Sequence, residues 1–289
     1  QIVTLTPAMI SGSKLEKFFS LYPNRAFDCG IAEEHATVFA ASLANAGQRP
    51  YLAIYSSFLQ RAYDQLNHDI ARMDLPVVIG IDRCGLVGED GATHHGVFDI
   101  QLLRALPNFI LCEAKDASEA QQLLYTGFNQ NHPFAIRYPR GSIDYQKVNN
   151  YELISIGSWT RWNYNDESKV IVITYGCDVD RVISKASINE IPISVINARF
   201  FKPLDLDMLK ECIHTQLPII VYETDILCGG LSSAILEACN DMGMPIQLIR
   251  IGIQDHFVEH GSLPQLRKVE KIDLTTLFNK ITELIKHAN

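Results

Sequence analysis

Short, nearly continuous apolar runs separated by stretches of helical periodicity restrict the fold of this chain more than any other feature. Ile2–Thr6, Tyr51–Tyr55, Val77–Asp82, Phe109–Glu113 and Phe134–Tyr138 are runs of this kind, with helical patterns near Phe58–Arg72 and Ser118–Phe128 between them. Runs this short and this apolar suit strands covered on both faces, and the alternation with helices predicts a parallel sheet. The alternation resumes with Val170–Tyr175, a helix at Val179–Ser187, Ile193–Asn197, a helix after Pro203, Ile219–Tyr222, a helix at Leu231–Cys239, Ile246–Ile251 and a last helix at Leu274–His287, which Asp273 is placed to cap. Periodicity lapses over Ser142–Tyr151, and Trp159–Ser168 is polar and aromatic without a clear period. The expectation is therefore two parallel-sheet α/β domains, 1–145 and 146–289.

Within the first series, FDCGIAEEHATVFAASLANAG (27–47) joins a short strand to a helix through an acidic turn. Val38, Phe39, Ser42, Leu43 and Ala46 recur at helical spacing, and Gly47 supplies the stop. Glu33 falls where the strand gives way to the helix, on the rim where open α/β sheets bind ligands. A first-turn acid favoured by the helix dipole would look the same.

Length and composition limit the function classes. A chain of 289 residues, 47% hydrophobic, can bury one large core or two ordinary ones. Its net charge of −8, with both signs interspersed, argues against a nucleic-acid surface and offers no polybasic membrane patch, so any anion site must be local. The seven cysteines lie mostly in apolar runs and form no C-x-x-C pair, the usual pattern of reduced thiols. No apolar run approaches the ~20 residues that span a bilayer, and no signal peptide precedes the first strand. The reading is cytoplasmic.

Three further stretches can carry chemistry. In YSSFLQRAYDQ (55–65), Ser56 or Ser57 is placed to cap a helix, and Phe58 lies one turn ahead of Arg61; core packing and a surface charge are the plainer reading of that pair. In DRCGLVGEDGATHHG (82–96), Arg83 leaves a strand end, Asp90 and His94 come from a glycine-rich loop, and His95 reads as a surface histidine. One carboxylate pair and two adjacent histidines make no convincing metal site. His94 suits a proton shuttle that Asp90 orients, or Asp90 binds a hydroxyl. In RYPRG (137–141), Pro139 ends a strand and Arg140 projects from the turn, so Arg83 and Arg140 make a credible clamp for an anion, or Arg140 a structural ion pair.

Taken together, GIAEEHA, YSSFLQRAYDQ, GEDGATHHG and RYPRG resemble the 1-deoxy-D-xylulose 5-phosphate synthase family, thiamine diphosphate enzymes of the transketolase superfamily, and the resemblance covers almost the whole chain. It implies a pyrimidine-binding domain followed by a transketolase-like carboxy-terminal domain. It implies that Glu33 activates the cofactor's aminopyrimidine, that Phe58 packs on that ring, that Tyr55 and Arg61 lie toward the substrate, that Arg83 and Arg140 bind the phosphate of glyceraldehyde 3-phosphate, and that Asp90 and His94 face the reacting carbons. The family pattern has Gln where this chain has Glu34, which adds a charge beside the site. The implied reaction condenses pyruvate with glyceraldehyde 3-phosphate, loses carbon dioxide, and feeds isoprenoid and thiamine synthesis.

The family binds Mg²⁺ and the diphosphate through a G-D-G motif and a downstream Asn, a pairing not found here. That, with Gln1 in place of an initiator Met, leads to the expectation of a piece of a longer enzyme, inactive without an amino-terminal domain that holds the metal. A homodimer is expected. ARFFKPLD (198–205), YETDILCGGLSSAILE (222–237) and GIQDHFVEHGSLPQL (252–266) carry the resemblance in the second half, with no catalytic residue expected there and Gly229–Gly230 read as close packing at a helix start. Two enzyme alternatives stay open, the β subunit of a 2-oxo acid dehydrogenase and half of a split transketolase, as does a noncatalytic dimerisation or regulatory module.

Overall fold

The computed structural model describes residues 1–145, 147–165 and 167–287. The expected start of the second domain, Gln146, lies outside the described residues. The first half contributes strands β1 (Ile2–Thr6), β2 (Ala26–Asp28), β3 (Arg49–Tyr55), β4 (Val78–Asp82), β5 (Ile110–Glu113) and β6 (Phe134–Tyr138). The second contributes β7 (Thr160–Asn163), β8 (Val170–Thr174), β9 (Ile193–Asn197), β10 (Phe200–Lys202), β11 (Ile219–Ile226) and β12 (Leu248–Ile253). Two sheets form, in the orders β10-β5-β6-β4-β3-β1-β2 and β12-β11-β8-β9-β7. Their central strands run parallel, and β4, β8 and β9 are buried along their whole length, as doubly covered strands must be.

Two strands escaped the sequence reading. β7, inside the stretch without clear period, pairs antiparallel with β9 at the edge of the second sheet. β10 crosses over to the first sheet and pairs antiparallel with β5. There the Lys202 ammonium donates to the carbonyl of Arg104, the last residue of the helix Asp99–Arg104, and to that of Leu106 just beyond it. The second half thus supplies an edge strand to the first, and both sheets are mixed.

The helix Glu33–Asn45 forms as expected, but on a different face. Its buried stripe is Glu33, Ala36, Thr37, Ala40, Ala41 and Ala44, while Val38 and Ser42 are exposed. The small side chains let the helix lie close against the sheet, and the larger apolar ones are left at its flank. The expected helix Phe58–Arg72 is instead a composite run, α-helical over Ser56–Leu59, tightened over Gln60–Ala62, α-helical again over Tyr63–Gln65 and widened over Leu66–Ala71. Tyr55 occupies its N-cap without a side-chain cap bond, so neither Ser56 nor Ser57 caps it. Asp273 does accept from the Thr275 and Thr276 amides at the start of the last helix.

A buried ion cluster lies at the contact between the halves. Arg137, fully buried on β6, donates to Asp99 at 2.6 and 3.1 Å, to Glu113 at 2.6 Å and to Asp225 on β11 at 2.8 Å. The Tyr175 hydroxyl donates to Asp225 at 2.5 Å. Burial pushes the Glu113 carboxyl up to about 8 against the opposing pull of Arg137, so near neutrality it retains a proton that reduces the negative excess around a single guanidinium. No helix among the described residues is long and apolar enough to cross a membrane.

Candidate active site

The carboxyl ends of β3 and β4 and the start of the Glu33 helix bring the candidate residues together. Glu33 is only 2% exposed, yet its Oε2 accepts from Arg61 Nη1 at 2.6 Å, and the Arg61 side chain is 51% exposed. The tightened turn over Gln60–Ala62 carries Arg61 to that position, one helical step beyond Phe58. Arg61, expected to lie toward a substrate, therefore rests on the buried acid.

A second group is built around Phe58, three residues before Arg61 on the same composite run. The Tyr55 and Phe58 rings stack at 5.6 Å between centroids, and His94 meets the Phe58 ring edge-on at 5.4 Å. The Arg83 guanidinium lies 3.8 Å from the centroid of the Tyr55 ring and pairs with Asp82. Arg83 also donates to the Gly12 carbonyl at 3.2 Å. Its backbone has a φ of 62°, the left-handed region that non-glycine residues enter at a cost and that clusters at ligand sites. Arg140 pairs with Asp90 at 2.5 Å, both about half exposed. The charges of Arg83, Asp82, Arg140 and Asp90 all act on the Tyr55 phenol, whose pKa burial nevertheless raises. Of the two arginines proposed as a clamp, Arg83 covers the Tyr55 ring and Arg140 pairs with Asp90, so each is held at present by a carboxylate.

The Thr93 hydroxyl lies 2.9 Å from His94 Nδ1, which orients the ring on the loop. His95, expected at the surface, is 3% exposed and belongs to the interior of the loop: its Nδ1 accepts from the Val87 amide at 3.0 Å. The sequence reading also passed over Asp82. Its signal was an acid ending an otherwise apolar strand, at the carboxyl-end rim of the sheet where ligands bind. Burial pushes the Asp82 carboxyl up, and Arg83 opposes that shift.

For the aminopyrimidine half of thiamine diphosphate these residues fit: a buried carboxyl, Glu33, and an aromatic face, Phe58, with Ser57 Oγ and Gln65 Oε1 buried nearby in the chain and without partners. For a metal the described residues offer no group of three or more His, Cys, Asp or Glu side chains. At the Gly229–Gly230 turn the helix Leu231–Asp241 already has its anion. Glu223 accepts from the Leu231 and Ser232 amides, and burial raises its pKa to about 7 despite those bonds.

Comparison with known proteins bears on the family and the fold. Residues 1–146 match the transketolase pyrimidine binding domain, and residues 163–276 the transketolase C-terminal domain. The 1-deoxy-D-xylulose-5-phosphate synthase of Listeria welshimeri is 45% identical over 294 aligned positions, covering 100% of this chain and 46% of that protein. The enzyme of the same name from Aquifex aeolicus is 42% identical, covering 99% of this chain and 46% of its own. The chain spans about half the length of the curated relatives it matches. Among solved structures, a split gene transketolase described as an inactive β4 tetramer superposes with a TM-score of 0.84 at 24% identity, covering 99% of this chain and 92% of that one. Transketolase from Campylobacter jejuni gives 0.76 at 17% identity, covering 98% and 43%. These two share the fold, and the family models give the assignment: the chain belongs to the transketolase family, whose pyrimidine-binding and C-terminal domains it carries.

Proposed function

We propose that this chain supplies the pyrimidine side of the active site of a thiamine diphosphate-dependent 1-deoxy-D-xylulose 5-phosphate synthase, which condenses pyruvate with glyceraldehyde 3-phosphate and releases carbon dioxide. The observation that carries the reading is the buried Glu33 at the mouth of a sheet whose strand ends also carry the Tyr55–Phe58–His94 platform with Arg83 over Tyr55. The synthases at 42–45% identity support the choice of reaction. Thiamine diphosphate, when bound, supplies the carbanion chemistry at the pyruvate carbonyl.

The residues of this chain do the rest. Glu33 holds and returns a proton at the pyrimidine ring nitrogen, with Arg61 as its partner until then. Phe58 would help hold the pyrimidine ring, an aromatic contact worth on the order of 1 kcal/mol beyond burial. Arg83 and Arg140 exchange Asp82 and Asp90 for the phosphate oxygens of glyceraldehyde 3-phosphate, each presenting a planar fork. His94 moves the proton at the reacting oxygen, Asp90 holds a substrate hydroxyl, and Tyr55 floors the pocket.

We assign residues 1–145 and 146–289 to the pyrimidine-binding and carboxy-terminal domains, and the Mg²⁺ and diphosphate to the half of the relatives that this chain does not span. The inactivity given for the split-gene β4 tetramer supports the inference that this chain alone does not turn over. Exposed Phe27, Ile31 and Val38 beside Glu33 suit contact with a second copy. The decisive experiment joins this chain with a polypeptide carrying the remaining half and supplies thiamine diphosphate, Mg²⁺ and pyruvate. Consumption of glyceraldehyde 3-phosphate supports the reading; acetyl transfer to lipoamide or use of a ketose donor in its place refutes it.

A further inference from the structure

The second half of the chain reaches the loop that carries Asp90 and His94. Leu86 and Val97, at the two ends of that loop, are buried in the same apolar cluster as Val258 and Leu266. The base of the loop is closed by reciprocal amide bonds between Gly85 and Gly96, both 2.8 Å. Its crown lies against 259–262: the Gly261 amide donates to the Gly88 carbonyl at 3.4 Å, and a Cβ at Gly91 would stand 3.2 Å from His260 Cβ. Between base and crown, buried His95 accepts from the Val87 amide through Nδ1, and its Nε2 lies 3.1 Å from the Glu259 carbonyl. An acceptor Nδ1 requires the neutral ring with its proton on Nε2, which then donates to Glu259.

We propose that His95 is a positioning residue through which 258–262 anchors the substrate loop, so that the second half of the chain sets the geometry of Asp90 and His94. The substrate consequence rests on the function proposed above; the anchoring does not. Without the ring, the Val87 amide and the Glu259 carbonyl both lose a partner inside the protein, a loss that favours local opening of the loop over opening of the sheets. Glutamine carries one acceptor and one donor at its tip, as the neutral ring does, so His95→Gln preserves the pattern and His95→Leu abolishes it.

Three measurements on the full chain test this. In nitrogen-15 histidine spectra of the unaltered protein, His95 must show an unprotonated Nδ1; a proton on Nδ1 overturns the proposal even if every variant fails to fold. In His95→Leu, amide exchange from Val87 to His94 should rise about tenfold with β4 and β11 unchanged, and His95→Gln should restore it. Unchanged loop exchange, or equal loosening in both variants, refutes the anchor. Titration with glyceraldehyde 3-phosphate, followed at the His94 ring, should weaken in His95→Leu and recover in His95→Gln. If the unaltered chain gives no response, the substrate reading fails, while the exchange comparison still decides the anchor.

Discussion

Arg61 donates to the Glu33 carboxylate at 2.6 Å, yet the two partners differ sharply in exposure, 51% against 2%. Removing either therefore has unequal consequences. In Glu33→Gln the arginine turns to solvent, and stability should change by less than ~1 kcal/mol. In Arg61→Ala a buried carboxylate loses its cation, at about 1–3 kcal/mol. Urea unfolding midpoints should fall further for Arg61→Ala. In the completed enzyme Glu33→Gln should instead lower kcat by ~10²–10⁴, the range expected for loss of a general acid–base group. Equal turnover of Glu33→Gln and the unaltered enzyme removes Glu33 from the mechanism.

Arg83, over the Tyr55 ring, and Arg140, paired with Asp90, should both recognise phosphate. Replacing either with Ala should raise KM for glyceraldehyde 3-phosphate about tenfold or more, as expected for a lost charged hydrogen bond, while sparing unphosphorylated glyceraldehyde. A matching loss with both aldehydes would assign the arginines to shaping the loop. Arg83→Ala should also lower stability modestly, because Asp82 beneath it is buried.

Arg137 is the cation that pairs with Asp99, Glu113 and Asp225 among the described residues. Arg137→Met should destabilise by ~3 kcal/mol or more, because it strands buried carboxylates, and calorimetry should register the loss in both halves.

Glu113 gives that cluster a pH signature. Its folded pKa of about 8 lies above the ordinary glutamate value of 4.5, so the folded state retains a proton that the unfolded chain has released. The stability linked to it is fully present below pH 4.5 and is lost as pH rises toward 8. Glu113→Gln should flatten the fall in unfolding free energy between those limits; an unchanged slope would place the proton elsewhere in the cluster.

Gly230 packs where no side chain fits. A Cβ there would stand 2.4 Å from Glu223 Oε2 and 2.7 Å from the Ile226 carbonyl. Gly230→Ala should cost ~1–3 kcal/mol by overpacking and loosen the start of the helix Leu231–Asp241, visible as faster exchange of the Leu231 and Ser232 amides. Substitution without loss of stability would show that Glu223 can give way.

The alternating apolar runs and their turn residues were enough to place most central strands and several helices, because strand burial and helical periodicity are local properties of a chain. Glu33, Phe58, Arg83, Asp90, His94 and Arg140 became candidates through the motifs that resemble the synthase family, and most of them stand at element ends or in a glycine-rich loop, where open α/β sheets bind ligands. Short edge strands were harder. Phe200–Lys202 acquires strand character only from its pairing with β5 in the other half. The alanine face of the Glu33 helix was chosen by close approach to the sheet, against the larger apolar residues that the sequence pattern favoured. Pairings between distant residues depended wholly on the tertiary structure: Arg61 with Glu33, Arg137 with carboxylates from both halves, and His95 with Glu259. The sequence by itself determined most of the central elements and which chemical groups stand at their ends. Only the folded chain decided which of those groups meet, because burial and charge pairing are set by neighbours that sequence distance does not reveal.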